Sequence, residues 1–366
     1  MGDQRAGAAR SAIRRRDLLG GAAALGVGGS LLAACGKPAP KPADAIGLAA
    51  SGGLFNEVLR KVWTNDFEKH SGVKVNLSPA TSLAMARLQA ASEHPQWDIF
   101  ELTGPEFEFA VRHDLVLPLD TDIVDVKPLP SQYVKPHGVM YAIFNSCLAW
   151  DPRQIADAQR PHGWADVWDK RRPGKRSLDP VNGGAGLMEI ALIADGVPTD
   201  KLYPLDVDRA FRSLDKLGQD NIIWSTSIEE TVQRLVSSEV SMGSCWPFRI
   251  QKANQGGAHI GYTFEQCMLE GEYLCVVKSC RNPKAAFGLI NWILHDPKAC
   301  AEFSRLTHYG TPNLESLKYI PEPDLDLVPT NPKLAAKLFP ANDVWWADNL
   351  ERVATRFRKW QLGVAT

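Results

Sequence analysis

The chain has 366 residues, 45% of them hydrophobic, and a formal net charge of −1. With no excess of basic residues it offers no nucleic-acid face, and beyond residue 35 no apolar run is long enough to cross a bilayer. Its length exceeds what one hydrophobic core usually serves, so two lobes of roughly 150 residues each are expected.

Residues 1–35 have the layout of a cleaved export signal. Arg5, Arg10, Arg14, Arg15 and Arg16 precede an apolar segment from Leu18 to Ala34. Arg15-Arg16-Asp17-Leu18-Leu19 resembles the twin-arginine type of signal. Leu32-Ala33-Ala34-Cys35-Gly36 resembles a bacterial lipobox, in which Cys35 becomes the lipidated first residue. The segment is too short and too rich in Gly and Ala for a spanning helix, which needs roughly 20 strongly apolar residues. Residues 36–43, with Lys37-Pro38-Ala39-Pro40-Lys41-Pro42, read as an extended tether. A lipid-anchored protein of the periplasm or outer cell surface is expected. Loss of residues 1–35 removes five arginines and two acids, which brings the net charge near −4.

From Ile46 onward, strand-like apolar runs alternate with helical periods, which predicts an α/β fold. Ile46–Ala50 reads as a strand stopped by Ser51-Gly52-Gly53, and Leu54, Val58, Leu59, Val62 and Phe67 recur at helical spacing up to His70. Strands follow at Val73–Leu77 and Asp98–Leu102 around a helix at Leu83–Ala91. Val139–Trp150 is a long strand-like stretch interrupted at Asn145. Helices are expected at Gly163–Trp168, Leu187–Ala194, Asp206–Leu217 and Ser227–Ser237, with short strands at Val240–Cys245 and Tyr273–Val277. Pro283–Leu294 and Pro297–Thr307 are helices opened by proline, and Asn342–Trp360 is a closing amphipathic helix.

In open α/β sheets ligands sit beyond the carboxyl ends of strands. The turns Ser51-Gly52-Gly53 and Thr103-Gly104-Pro105 are therefore site candidates. Six cysteines remain after Cys35, without CxxC pairs or metal-ligand spacing, and no metal or cofactor is expected. Cys147 and Cys275 lie in apolar runs and read as buried thiols. Asp98, Glu101, Glu106, Glu108, His113 and His137 have no catalytic spacing and read as solvated charges. Glu106-Phe107-Glu108-Phe109 alternates like an amphipathic strand or helix edge. Neither GxSxG nor HExxH occurs, so an enzyme is not expected.

A series of segments in order resembles one family. They are Trp63 through Val75, Trp97-Asp98-Ile99-Phe100, Phe144-Asn145, His162 through Asp169, Asn282-Pro283-Lys284-Ala285-Ala286, Ile290 through Leu294 and Tyr309 through Asn313. Together they resemble the type II solute-binding proteins of ABC importers, most nearly the spermidine/putrescine-binding group. The resemblance implies a two-lobed fold with the ligand cleft between lobes, joined by crossings near Asn145 and Glu270. One lobe would hold residues 44–145 and 271–312, the other 146–270 and 313–366. It also implies a monomer that hands its ligand to an ABC permease with its ATPase. A ligand-sensing lipoprotein docked to a receptor and a ferric-ion binder of the same fold are the alternatives, the latter without its usual Tyr-Tyr pair.

For the site, Met242-Gly243-Ser244-Cys245-Trp246 resembles the family's Gly-x-x-Trp segment, whose tryptophan stacks along the ligand. The family's Trp-x-Asp falls on Gly271-Glu272-Tyr273, where both residues are absent. Glu270 or Glu272 would supply the charge and Tyr273 an aromatic face. Asp179 stands near the family's other carboxylate position. Arg249, beside Trp246, favours a carboxylate or phosphonate, and N–H groups at Ser51, Gly52 and Gly53 would suit the same anionic end. With Thr103, these residues predict a cleft for a small organic cation, polyamine or amino zwitterion.

Overall fold

The computed structural model describes residues 45–180, 186–225 and 227–364. The signal, the lipidation site Cys35 and the tether lie outside the described residues, as do Val181-Asn182-Gly183-Gly184 beyond Asp179.

The fold is α/β, as the alternation of elements predicts. Its strands are β1 (Ala45–Ala49), β2 (Lys74–Ser78), β3 (Ile99–Thr103), β4 (Val134–Lys135), β5 (Gly138–Trp150), β6 (Lys175–Leu178), β7 (Ile222–Trp224), β8 (Val240–Cys245), β9 (Gly261–Val276) and β10 (Leu338–Pro340). They form one mixed sheet in the order β2-β1-β3-β9-β5-β8-β6-β7, with β10 on β9 and β4 on β5. β1 is parallel to β2 and β3, and β6 is parallel to β7 and β8. Between these parallel groups β5 and β9 run antiparallel to each other along most of their length.

Every residue of β1 is buried, the pattern of a parallel strand covered on both faces. The following helical stretch Gly53–Ser71 contains a π turn at Arg60–Thr64 and stops at Gly72, whose φ of 73° suits a residue without Cβ. Asn282 and Asp296 cap the helices Pro283–His295 and Pro297–Thr307, their side chains accepting first-turn N–H groups.

Two large cores result. One gathers Ile46, Leu59, Trp63, Ile99, Val139, Leu274, Ile290 and Phe303. The other gathers Leu148, Trp164, Leu178, Met188, Leu214, Met268 and, from the C-terminal helix Asp343–Gln361, Val353 and Phe357. β5 and β9 each contribute to both, so they are the covalent bridges between the cores. Past residue 312 the chain first packs Ile320 and Val328 on Ala301, then joins β9 through β10.

Two expectations change, and one left open between strand and helix is decided. β9 spans 16 residues rather than Tyr273–Val277, because its first half mixes polar and apolar side chains and lacks a strand signature. Asn145 does not interrupt β5; it stays in the ladder opposite Leu269. Glu106-Phe107-Glu108-Phe109 is helical, within Gly104–Arg112, with Phe107 and Ala110 buried at i,i+3. Cys147 and Cys275 are fully buried thiols, and none of the six described cysteines is in a disulfide.

Candidate functional site

The site starts from strand register. Thr103 pairs with Glu272 between β3 and β9, Ala142 with Glu272 and Phe144 with Glu270 between β5 and β9. Directly opposed residues share a face, as do residues two apart. Glu101, Thr103, Glu270, Glu272 and Phe144 therefore stand on one face where the sheet passes from the first core to the second.

Glu101 is completely buried, and its carboxylate accepts hydrogen bonds from the Ser51 hydroxyl and the Tyr141 phenol. Burial pushes its pKa up, against the pull of these two donors. Glu270 accepts from Ser146 Oγ at 2.6 Å. Its pKa is held well above the usual carboxylate range, chiefly by burial and then by the charges of Glu189, Asp343 and Asp179. Glu272 is likewise pushed well up, by burial and then by Glu101, Glu106, Glu270 and Asp343.

Beside this acidic face stands an aromatic wall. Phe144 lies 5.2 Å from Trp246 and 5.1 Å from Tyr309, ring centre to ring centre. Tyr309 also meets Phe55 at 6.1 Å and Phe248 at 6.5 Å. Trp246 and Phe248 come from the end of β8 and the helix Pro247–Gln255, whereas Tyr309 follows the helix Pro297–Thr307. The wall thus joins elements of both cores. Trp246 Nε1 is buried without a hydrogen-bond partner among the described residues, and so is Nδ2 of Asn145, a residue only 2% exposed.

Arg249 sits in the first turn of the helix Pro247–Gln255, its guanidinium 5.4 Å from the Phe248 ring. A cation there opposes the helix dipole, so helix stability does not account for it. Its charge reaches Tyr309, where it opposes the upward push of burial and of Glu272, Glu101 and Glu270 on the phenol. One tyrosine thus feels a guanidinium and three carboxylates.

The other expected residues fall as follows. Asp179, 3% exposed, accepts from Ser244 Oγ at 3.3 Å. Thr103 directs its N–H and hydroxyl at the Glu106 carboxylate, 3.2 and 3.0 Å away, and so begins the helix Gly104–Arg112. Gly52 is required locally, because a Cβ there would overlap the Pro79 carbonyl and its φ is 78°. Two expectations are corrected. The Gly52 N–H is already given to Asn56 Oδ1 at 3.2 Å, and the Ser51 hydroxyl faces Glu101, so this turn belongs to the acidic side rather than to an anion. Tyr273 is 1% exposed on the opposite face of β9, stacked on Phe107 at 4.4 Å, and its ring belongs to the core.

Glu101, read from sequence as solvated, is the main residue missed, together with Tyr141, Phe144 and Tyr309 as wall and partner. A charge inside Ile99-Phe100-Glu101-Leu102 was the available signal for Glu101, since a strand covered on both faces has no solvent for it. Among the described residues no group of three or more His, Cys, Asp and Glu could hold a metal ion, and no helix is long and apolar enough to cross a membrane.

Comparison with known proteins identifies the family and the fold. Residues 63–336 match the family model for bacterial extracellular solute-binding proteins. A gamma-aminobutyric acid-binding protein of Pseudomonas aeruginosa is 28% identical over 321 residues, covering 84% of this chain and 88% of its own. The solved structure of a GABA receptor superposes with a TM-score of 0.80 at 26% identity, covering 87% of this chain and 97% of its own. An ABC transporter substrate-binding protein from Bradyrhizobium japonicum reaches the same TM-score at 28% identity, over 86% and 99%. These relatives have the two-lobed type II periplasmic binding fold and are binding proteins, not enzymes.

Proposed function

The chain belongs to the bacterial extracellular solute-binding proteins, and from that premise we propose that its cleft captures a small ω-amino acid such as GABA. Members of the family bind small molecules outside the cytoplasm and deliver them to an ABC permease. The ammonium end meets Glu101, Glu270 and Glu272, and the carboxylate end meets Arg249 as a bidentate partner. The aliphatic middle lies along Trp246, Phe144 and Tyr309.

The observation that carries this reading is that Arg249 and Glu272 both act on Tyr309. Charges of opposite sign within reach of one aromatic ring suit a ligand with opposite charges at its two ends. The names of two relatives, a GABA-binding protein and a GABA receptor, support the same class. The excess of carboxylates supports a diamine as the second reading. Titration calorimetry with GABA and putrescine separates them. Tight GABA binding that Arg249→Ala weakens by tenfold or more is the expected result, and tight putrescine binding indifferent to Arg249→Ala overturns it. We further propose that Cys35 carries a lipid that holds the binding protein near its permease.

A further inference from the structure

Glu270 and Glu272 stand two residues apart on one face of β9, about 7 Å along the strand. Carboxyls of several elements act on one or both of them: Glu101 from β3, Glu106 from the helix Gly104–Arg112, Asp343 from the C-terminal helix, Asp179 beyond β6 and Glu189 from the helix Leu187–Ala194. Glu189 is fully buried. Its Oε1 accepts from Trp346 Nε1 at 2.6 Å and from the Tyr203 hydroxyl, while its Oε2 has no hydrogen-bond partner among the described residues. The phenols of Tyr141 and Tyr309 and the guanidinium of Arg249 complete the surroundings. Lys135 reaches only the outer carboxyls, Glu108 at 3.6 Å and Asp343. So many carboxyls around one partly buried surface disfavour full ionisation of all of them together.

We propose that the cleft exchanges a proton for its ligand: in the empty protein near neutral pH the Glu270–Glu272 pair holds a proton, and an incoming ammonium group takes its place. The carboxylic O–H bond breaks, its proton passes to bulk water, and the carboxylate left behind pairs with the ammonium. The pair carries one negative charge before the exchange, and pair plus ammonium carries one after it, so the charge at the ammonium end of the cleft is unchanged, while the ligand carboxylate is balanced by Arg249. The raised pKa values of both glutamates are in accord with this. Affinity then rises with pH, by up to about tenfold per unit where one full proton is released. The inference rests on the amino-acid reading of the cleft and adds to it a coupling between capture and external pH.

The test uses GABA, whose own amine and carboxyl do not titrate near neutrality. Calorimetry at pH 7 in phosphate and in Tris is expected to give different observed enthalpies, with the difference corresponding to proton release. The Kd is expected to tighten several-fold from pH 6 to pH 8, and Glu272→Gln to flatten that profile. Because the pH profile of the unaltered protein stands alone, a poorly folding variant leaves the test intact. GABA binding with a buffer-independent enthalpy and a pH-independent Kd overturns the exchange but spares the capture reading. Putrescine binding with proton release, together with no binding of GABA, supports the exchange and overturns the zwitterion. No binding of either overturns both.

Discussion

At the scale of single residues, Trp246 and Tyr273 separate the proposed binding role from packing. Trp246 is half-buried at the start of a helix, with an unpartnered Nε1 and its ring against Phe144. Tyr273 is core, parallel to Phe107 within 7°. Trp246→Ala is therefore expected to weaken GABA binding by tenfold or more with little change in Tm, measured by calorimetry beside thermal unfolding. Tyr273→Ala is expected to lose about 3–5 kcal/mol of stability, the range for truncating a large buried aromatic, while the folded fraction keeps its Kd. The reverse pattern would move the site to the other face of β9. Glu101 is proposed to be of the first kind: its ion is costly to bury, and two hydroxyl donors aimed at it only partly offset that cost.

At the scale of elements, the contact between the C-terminal helix and the helix Gly104–Arg112 ties the second core to a smaller cluster of Phe100, Phe107, Ala110 and Tyr273. Arg112 pairs with Asp348 and donates from Nη2 to the Val344 carbonyl at 3.2 Å. At the other end of the same helix, Gly104 has no side chain because a Cβ would overlap the Asp343 carboxylate. Gly104→Ala is expected to cost about 1–3 kcal/mol in urea unfolding, as overpacking does, and Asp343→Ala in the same chain to recover part of it. Burial, reinforced by Glu108 and opposed by Lys135, pushes the Asp343 carboxyl up to about 7. An unfolded aspartate titrates near 3.9. Between these values the native protein holds a proton that the unfolded chain has released, so stability falls as pH rises through that window. The Tm of the empty protein is expected to drop between pH 5 and pH 7.5, and Asp343→Asn to lessen the drop; an unchanged slope would remove Asp343 from the cause.

At the scale of the whole molecule, β5 and β9 connect two cores, and the carboxylates and aromatic wall lie at that junction. A ligand touching both cores favours the arrangement that brings them together. GABA at 100 times its Kd is expected to add about 2.7 kcal/mol of stability, visible as a rise in Tm that Arg249→Ala abolishes. Cys35→Ser is expected to move the protein from the membrane to the soluble fraction while the purified body keeps its Kd. Retention at the membrane would rule out the lipid anchor.

What the amino-acid sequence determines by itself is periodic and local. Helices such as Leu187–Ala194 and Pro297–Thr307 were legible because apolar spacing, prolines and caps act within a few residues. The order of family segments was legible too, and with it Trp246 and Arg249 as cleft candidates. Tertiary structure alone decided which face of a strand each side chain takes. Glu272 and Tyr273 are neighbours in the chain, yet one joins the acidic face and the other stacks in the core. A one-residue shift of register would exchange them, and register is set by long-range pairing with β3 and β5. The same holds for Glu101, Tyr141 and Tyr309, which are far apart in sequence and acquire their chemistry only when the packed sheet removes the water around them.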